Sequence, residues 1–349
     1  MNRARWLHLH KYIGLAMAAL LLVQAATGML LLYRGPVARW IDPAGMTSHG
    51  SARLISSGTA VAKAEQALPG FAVTRLFAPD AEGATYMAEM SDAQGATRYA
   101  SVDPAGGGVL RAGSTWVFPI EAALQIHYRL MAGRPGMAVV LLNALALLAM
   151  AGSGLAYWWP KKGPFGKQLS IRWSLSFRLL LRQVHRTTGV LVSLLLCFMA
   201  VTGLLLVVPD LIDPSLPTLA RPTRSAAAID RSLALARSAF PASPPRDFRI
   251  AGDRLIVNFQ APERNRRAVH RAVVMIDRPH MVSAIRAEQN GALWMTILPL
   301  HTGNSFGPAG PMALVIVAMM LIALSITGPL MWWQARAVRR RSAPRKQMA

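Results

Sequence analysis

The chain has 349 residues, of which 53% are hydrophobic and only 15% are charged, and its formal net charge is +22. This composition is typical of a membrane protein with sizeable segments outside the bilayer. The only cysteine, Cys197, lies in an apolar run, so an intrachain disulfide and a cysteine-based metal site are excluded.

Four apolar stretches are long enough to cross a bilayer, which requires about 20 residues. None of them contains Asp, Glu, Lys or Arg. The first is too long for the core of a signal peptide and lacks a convincing cleavage site, so we interpret it as a retained span. The predicted spans are Tyr12–Tyr33, Gly136–Trp159, Thr187–Val208 and Ala309–Trp333.

The distribution of charge predicts the orientation of these spans. Segments 1–11, 161–186 and 334–349 contain 3, 7 and 6 basic residues and no acidic residue. By the positive-inside rule, both termini and the 161–186 loop are cytoplasmic. The two long loops, about 34–135 and 209–308, then lie in the periplasm of a bacterial inner membrane. The basic excess therefore marks topology in a lipid bilayer, and we expect no nucleic-acid partner.

Each long loop has a helix-like run followed by strand-like runs, which is typical of a small α+β domain. In the first loop the runs are Thr59–Leu68, Ala72–Phe77, Thr85–Met90 and Thr97–Val102. In the second loop they are Ala226–Phe240, Phe248–Ile250, Arg254–Phe259 and Val269–Ile276.

The two halves of the chain repeat one pattern around four histidines. His10 and His185 each lie 17 residues before the threonine of a Thr-Gly pair. His127 and His301 each lie 27 residues before a glycine that follows Ser or Thr, and 31 residues before a Trp-Trp pair. Agreement at this many offsets indicates an internal duplication. The matched positions are Thr27-Gly28 with Thr202-Gly203, Ser153-Gly154 with Thr327-Gly328, and Trp158-Trp159 with Trp332-Trp333.

Imidazole is a common axial ligand of haem held between helices, and such a site needs two histidines at one membrane depth. His10 and His185 both begin outward-running helices, so both are expected near the cytoplasmic face. His127 and His301 both precede inward-running helices, so both are expected near the outer face. The repeat therefore pairs His10 with His185 and His127 with His301. The glycines of the repeat would let a flat macrocycle or a neighbouring helix approach.

We therefore predict a membrane all-α four-helix bundle of two repeated halves, with two small α+β periplasmic domains. Its segments are transmembrane helix 1 (1–33), a first periplasmic domain (34–118), transmembrane helix 2 with a periplasmic lead-in (119–160), a basic cytoplasmic loop (161–186), transmembrane helix 3 (187–208), a second periplasmic domain (209–292), transmembrane helix 4 with a periplasmic lead-in (293–333) and a basic cytoplasmic tail (334–349). A helical path from His127 to Trp158 would be about 46 Å long, so we expect a bend near Gly133–Gly136.

The chain resembles the PepSY-associated transmembrane-helix family, whose members are also called iron-regulated membrane proteins. The resemblance covers nearly the whole chain, and the external domains resemble PepSY modules. It is carried by His10-x3-Gly14, His127-Tyr-Arg-Leu-Met-Ala-Gly133, His185-Arg-x2-Gly189, His301-Thr-Gly303-x2-Phe-Gly307, the two Trp-Trp pairs, Ala64-Glu-x-Ala-Leu-Pro-Gly70 and Val102-Asp-Pro-Ala-Gly-Gly.

The resemblance implies a di-haem siderophore reductase of the inner membrane. The four repeat histidines, His10, His127, His185 and His301, would then bind the iron of two b-type haems as bis-His pairs. A cytoplasmic or membrane electron donor, not identifiable from the sequence, would supply electrons, and a periplasmic ferric siderophore would receive them. Iron would be released because Fe(II) binds siderophores far less tightly than Fe(III) does.

Three alternatives remain open in the sequence. His8 is an alternative ligand, although its repeat partner is Gln183 and a surface role is favoured. The protein could be a non-enzymatic regulator whose PepSY-like domains bind or inhibit a periplasmic protease. An iron or siderophore permease is disfavoured because the predicted spans lack charged side chains.

Overall fold

The computed structural model of the chain describes residues 3–48, 50, 54–159, 165–212, 224–265 and 267–341. Parts of the predicted basic loop 161–186, the second periplasmic segment 209–292 and the tail 334–349 lie outside these residues. The chain forms two compact units. The membrane unit comprises Met1–Leu32, Leu124–Leu211 and Pro308–Ala349, and the sheet unit comprises Tyr33–Ala123 and Ile212–Gly307.

Eleven helices lie in the described part of the chain. They are α1 (Arg3–Leu32), α2 (Arg34–Ile41), α3 (Pro43–Met46), α4 (Ser57–Ala67), α5 (Pro119–Arg129), α6 (Gly133–Trp158), α7 (Phe165–Leu169), α8 (Phe177–Ile212), α9 (Ala226–Ala239), α10 (Trp294–His301) and α11 (Ala309–Arg341). The strands are β1 (Ala72–Phe77), β2 (Tyr86–Ser91), β3 (Thr97–Val102), β4 (Val109–Ser114), β5 (Pro245–Ala251), β6 (Arg254–Gln260), β7 (Val269–Met275) and β8 (Met281–Ile285).

Helices α1, α6, α8 and α11 are each long and apolar enough to cross a membrane, which confirms the four predicted spans. Most run past the predicted limits because the apolar pattern marks only the part in lipid, whereas helical hydrogen bonding continues into the polar flanks. Helix α1 packs against α6 and α11. Val192 and Leu196 of α8 pack against Val317 of α11.

The strands of both external segments form one antiparallel sheet with the order β4-β3-β2-β1-β5-β6-β7-β8. The strands of the first long loop, β1–β4, meet those of the second, β5–β8, where β1 pairs with β5. Leu76 lies opposite Phe248, and Arg75 lies opposite Arg249. Helices α4 and α9 cover one face, and the core beneath them includes Val61, Ile229 and Phe259. The sheet is therefore shared by the two halves of the chain.

The prediction of a four-helix bundle with two small separate domains was wrong in this respect. A lone module would leave β1 or β5 as an open edge with unpaired backbone groups, and joining the two edges satisfies those groups. The sequence runs also missed β4 and β8. Strand β4 follows a glycine-rich turn, and β8 is only 5 residues long, so both lack a long apolar alternation.

The expected bend before the second span is confirmed. Helix α5 ends at Arg129 and α6 begins at Gly133, with Leu130 and Met131 at φ of 49° and 58° between them. Gly136 is required at this turn, because a Cβ there would lie 1.8 Å from the carbonyl oxygen of Arg129. In the second half, α10 ends at His301 and α11 begins at Ala309.

Candidate functional site

His10 of α1 and His185 of α8 face each other inside the membrane unit. Their ring centroids lie 6.4 Å apart and the ring planes are nearly perpendicular, at 85°. A metal ion that binds two imidazole nitrogens at about 2 Å each requires ring centroids about 6 Å apart. The structure thus brings together the first histidine pair that the repeat predicted, at a spacing that suits one iron between the rings.

Hydrogen bonds fix the ring tautomer of both histidines. The Nδ1 atom of His10 lies 2.9 Å from the carbonyl oxygen of Met150, which can only accept. The Nδ1 atom of His185 lies 2.7 Å from Oγ1 of Thr327, whose own hydrogen is donated to the carbonyl oxygen of Ala323. Both Nδ1 atoms therefore carry the proton, and both Nε2 atoms carry the lone pair that a metal would bind.

His127 is oriented in the same way. Its Nδ1 atom lies 3.0 Å from the carbonyl oxygen of Gln24 and 3.2 Å from Oγ1 of Thr27. The Thr27 hydroxyl donates to the carbonyl oxygen of Val23, so it accepts from the ring. Nδ1 of His127 therefore also carries the ring proton, as in His10 and His185.

The repeat glycines make room for these rings. A Cβ at Gly28 would lie 2.8 Å from Cε1 of His127, and one at Gly154 would lie 3.0 Å from Cε1 of His10. At Gly328 the corresponding distance to Cε1 of His185 is 3.6 Å. The sequence predicted that these glycines would admit a macrocycle or a neighbouring helix. In the structure, Gly28, Gly154 and Gly328 lie beside histidine rings.

Sequence reasoning did not recognise the role of the hydroxyl residues. Thr27, Ser153 and Thr327 were visible as markers of the repeat, and each immediately precedes a glycine. In the structure the hydroxyl of Thr327 accepts from the ring of His185, and the next residue leaves space for that ring. The constant spacing between histidines and Ser/Thr-Gly pairs was the signal that could have revealed this pairing.

His301 ends α10 and belongs to the sheet unit, whereas His127 belongs to the membrane unit. The pairing of these two histidines stays a prediction of the repeat. His8 is exposed, and its ring lies 6.2 Å from that of Tyr12. Across the described ranges, no group of three or more His, Cys, Asp or Glu side chains is placed to hold a metal ion. A haem held by two histidines would not form such a group.

A buried carboxylate joins the two halves of the sheet unit. Asp247 of β5 is fully buried and accepts from Nη2 of Arg75 on β1 at 2.9 Å, and from Nε of Arg246 at 3.1 Å. Asn258 donates to the same carboxylate at 3.0 Å. Burial acts to raise the pKa of Asp247, but the charges of Arg75 and Arg246 outweigh it and hold the pKa below its ordinary value.

The sequence of the chain matches one known protein family over most of its length. The profile of the family described as "PepSY-associated TM region" matches residues 7–335, which include all four membrane helices and the sheet. A search of curated proteins found no match. The resemblance inferred from the histidine and glycine motifs is confirmed at the level of the family. The chain is a membrane protein of the PepSY-associated transmembrane family.

Proposed function

We propose that this protein is an inner-membrane oxidoreductase that passes electrons from the cytoplasmic side to a ferric siderophore in the periplasm. Iron would leave the chelate as Fe(II). The observation that carries the proposal is the facing pair of His10 and His185, with centroids 6.4 Å apart. A histidine that only fills space does not require a second histidine opposite it. In His10 and His185 the two rings face each other, and Nε2 of each is the nitrogen without the proton.

The donor set suits b-type haem, because two neutral imidazoles in a helix bundle are typical axial ligands. His10 and His185 would hold one haem, and His127 and His301 a second. Bound haem would supply a one-electron carrier whose potential responds to its ligands and burial. The chain orients the ligands through the acceptors of their Nδ1 protons and seats the rings against Gly28, Gly154 and Gly328.

The orientation of this path comes from charge. The basic residues of segments 1–11 and 161–186 flank the helix starts that carry His10 and His185. In a bacterial inner membrane these segments would be cytoplasmic. His10 and His185 would then form the inner site, close to the electron donor, and His127 and His301 the outer site, close to the substrate.

A visible spectrum of the purified, detergent-solubilised protein tests the haem assignment. We expect reduced b-type bands and two haems per polypeptide by the pyridine haemochrome method. His10→Ala and His185→Ala should each remove about half of the haem, and so should His127→Ala and His301→Ala. His8→Ala on the same helix as His10 is the matched control and should retain both haems. A colourless protein would eliminate the reductase and favour the non-enzymatic regulator.

A second experiment tests the electron transfer itself. The protein, reduced with dithionite and freed of excess reductant, is mixed with a ferric siderophore in the presence of an Fe(II)-specific chromogenic chelator. We expect reoxidation of the haem bands together with stoichiometric Fe(II) capture. Haem bands that stay reduced in the presence of every chelate tested would show that the protein is not a ferric-chelate reductase.

A further inference from the structure

Six arginines gather in the sheet unit around the face of the sheet opposite α4 and α9. Alternation places Arg75, Arg249 and Arg271 on this face, because their neighbours Leu76, Phe248 and Ala272 point into the core under the helices. Arg246 joins them through its contact with Asp247. We call this group the arginine cluster, and its members are Arg34, Arg75, Arg246, Arg249, Arg267 and Arg271.

The carboxylates near the arginine cluster are already occupied. Glu121 pairs with Arg34, and Asp247 pairs with Arg75 and Arg246. Glu89 of β2 lies opposite Arg75 and also acts through its charge on Arg249. Six guanidinium groups thus face three carboxylates, which leaves an excess of three positive charges.

The ion pairs seen among the described residues leave out three members of the cluster. Among the residues that the structure describes, no carboxylate pairs with Arg249, Arg267 or Arg271. Arg249 lies directly opposite Arg75 across the β1–β5 junction, and like charges at such positions destabilise a sheet. Partial burial lowers the pKa of Arg267, and the charges of Arg246 and Arg34 lower it further. A bound anion would relieve this repulsion.

The cluster touches both short helices that carry the proposed outer ligands. Arg246 lies 5.8 Å from the ring centre of Trp294, which begins α10, and His301 ends that helix. Arg34 pairs with Glu121 of α5, and His127 lies later in α5. His301 lies seven positions after Trp294 in the helix, about 10 Å along the axis. Within the sheet unit, an anion held near Arg246 would lie at the other end of the short helix that ends at His301, a proposed outer ligand.

We propose that the arginine cluster binds the substrate, and that the substrate is an anionic ferric chelate with carboxylate or catecholate oxygens. Guanidinium groups present paired N–H donors that match such oxygens and keep their charge at any physiological pH. Arg249 and Arg271, which have no carboxylate partner among the described residues, would make the charge-assisted contacts, although Nε of Arg271 also donates to Asn258. A neutral or cationic chelate would gain nothing from them. This inference rests on the proposed reductase function and specifies its substrate class.

Binding is measured with a redox-inert probe, so that it does not depend on electron transfer. Full-length protein in phosphatidylcholine nanodiscs is titrated with Ga(III)–citrate by calorimetry, and with the neutral Ga(III)–tris(acetohydroxamate) complex for comparison. For the double variant Arg249→Gln/Arg271→Gln we expect at least a tenfold higher Kd for Ga(III)–citrate. Affinity for the neutral complex should not change.

The matched control is Arg231→Gln/Arg237→Gln, which removes two exposed arginines from α9 on the other side of the sheet. It should change the Kd for Ga(III)–citrate less than twofold. Equal weakening in both double variants would reduce the effect to net charge and overturn the proposal. The proposal is also overturned if the unaltered protein does not bind Ga(III)–citrate. This holds even if the arginine substitutions change binding to nanodiscs that contain anionic phosphatidylglycerol, because the cluster would then bind lipid headgroups.

The outcomes separate this inference from the proposed function. If the protein contains no haem but binds Ga(III)–citrate through the cluster, the anion site is supported and the reductase function is rejected. If the protein contains haem and reduces Fe(III)–citrate equally well with and without Arg249 and Arg271, the reductase function is supported and the anion site is rejected. An unchanged visible spectrum and circular dichroism spectrum verify that the variants are folded.

Discussion

The Nδ1 atom of His185 lies 2.7 Å from the hydroxyl oxygen of Thr327, and the next residue, Gly328, borders the edge of the same ring. One dipeptide on α11 thus sets both the tautomer and the position of a histidine on α8. The same hydroxyl donates to Ala323, so it has no second proton to offer the ring. This relationship makes the proposed ligand role of His185 open to a graded test.

Thr327→Val should weaken haem binding at the inner site. Valine keeps the shape of threonine but removes the acceptor of the ring proton, and such outer partners contribute about ten- to a hundredfold to metal affinity. Haem content and midpoint potential measure the effect, and Thr327→Ser should restore both. Thr27→Val is the comparison, and its effect should be smaller because His127 also donates to the carbonyl of Gln24. Identical behaviour of both valine variants would contradict the orienting role.

The effect of an alanine substitution at a repeat glycine should depend on the distance between the new Cβ and the neighbouring histidine ring. In Gly28→Ala and Gly154→Ala the new Cβ would lie 2.8 and 3.0 Å from a histidine ring, so the ring must move away from its acceptor. We expect loss of the haem at the corresponding site. Gly328→Ala, at 3.6 Å, should retain its haem, as should Gly152→Ala, which meets no atom within 4 Å. Haem content per polypeptide reads out all four variants, and equal loss in every one would show that general helix packing is responsible.

Acid should destabilise the sheet unit through Asp247. The pKa of this carboxyl is lower in the folded protein than in the unfolded chain, because Arg75 and Arg246 outweigh burial. Its contribution to stability is therefore complete above the unfolded pKa of about 4 and is lost as the pH falls through the folded pKa. The melting temperature of the unaltered protein should fall below pH 4, and that of Asp247→Asn should depend less on pH in that range.

Asp247→Ala should lower the free energy of unfolding by roughly 3 kcal/mol, because it leaves partly buried guanidinium groups without their counterion. Asp277→Ala is the control, since Asp277 is 59% exposed in its pair with Arg224. Its effect should stay within about 0.5 kcal/mol. Denaturant unfolding at neutral pH compares the two, and similar losses would show that the buried network is not special.

Gly58→Ala should destabilise the shared sheet unit. In an open helix, alanine is more favourable than glycine by about 1 kcal/mol. At Gly58, however, the new Cβ would lie 2.1 Å from the carbonyl oxygen of Ala226, and the Gly58 amide donates to Asp230 of α9 at 2.8 Å. We expect a net loss of about 1–3 kcal/mol. Gly291→Ala, which meets no atom within 4 Å, should be neutral, and a stabilised Gly58→Ala would contradict the contact.

Much of this architecture could be predicted from the residues. The spans of α1, α6, α8 and α11 follow from apolar length alone, and the pairing of His10 with His185 follows from the repeat. The sharing of one sheet could not be read from the chain. Strands β1 and β5 have similar patterns whether each is an edge or a neighbour of the other, because edge pairing uses backbone groups that every sequence carries.

The ring-orienting contacts were hidden for a different reason. Thr27 and Thr327 lie on spans, where a threonine hydroxyl can satisfy itself by bonding the preceding turn. That local bond gives no sign in the sequence of a second partner 100 or more residues away. Only the folded structure shows that a hydroxyl bonded to its own helix also accepts from a distant imidazole.

The order of the strands has a consequence for the origin of the site. Exchanging the halves maps β1 onto β5 and β4 onto β8, so the sheet has an approximate two-fold relation between its halves, and in the sequence repeat it maps His10 onto His185. A half-length chain would expose β1 and would own only one histidine of each pair. Two such chains associating as a symmetric dimer would complete both the sheet and the pair of His10 and His185 at once. In this view the contact between His10 and His185 began as a contact between identical subunits, and fusion into one chain later allowed equivalent positions such as Thr327 and Ser153 to become different residues.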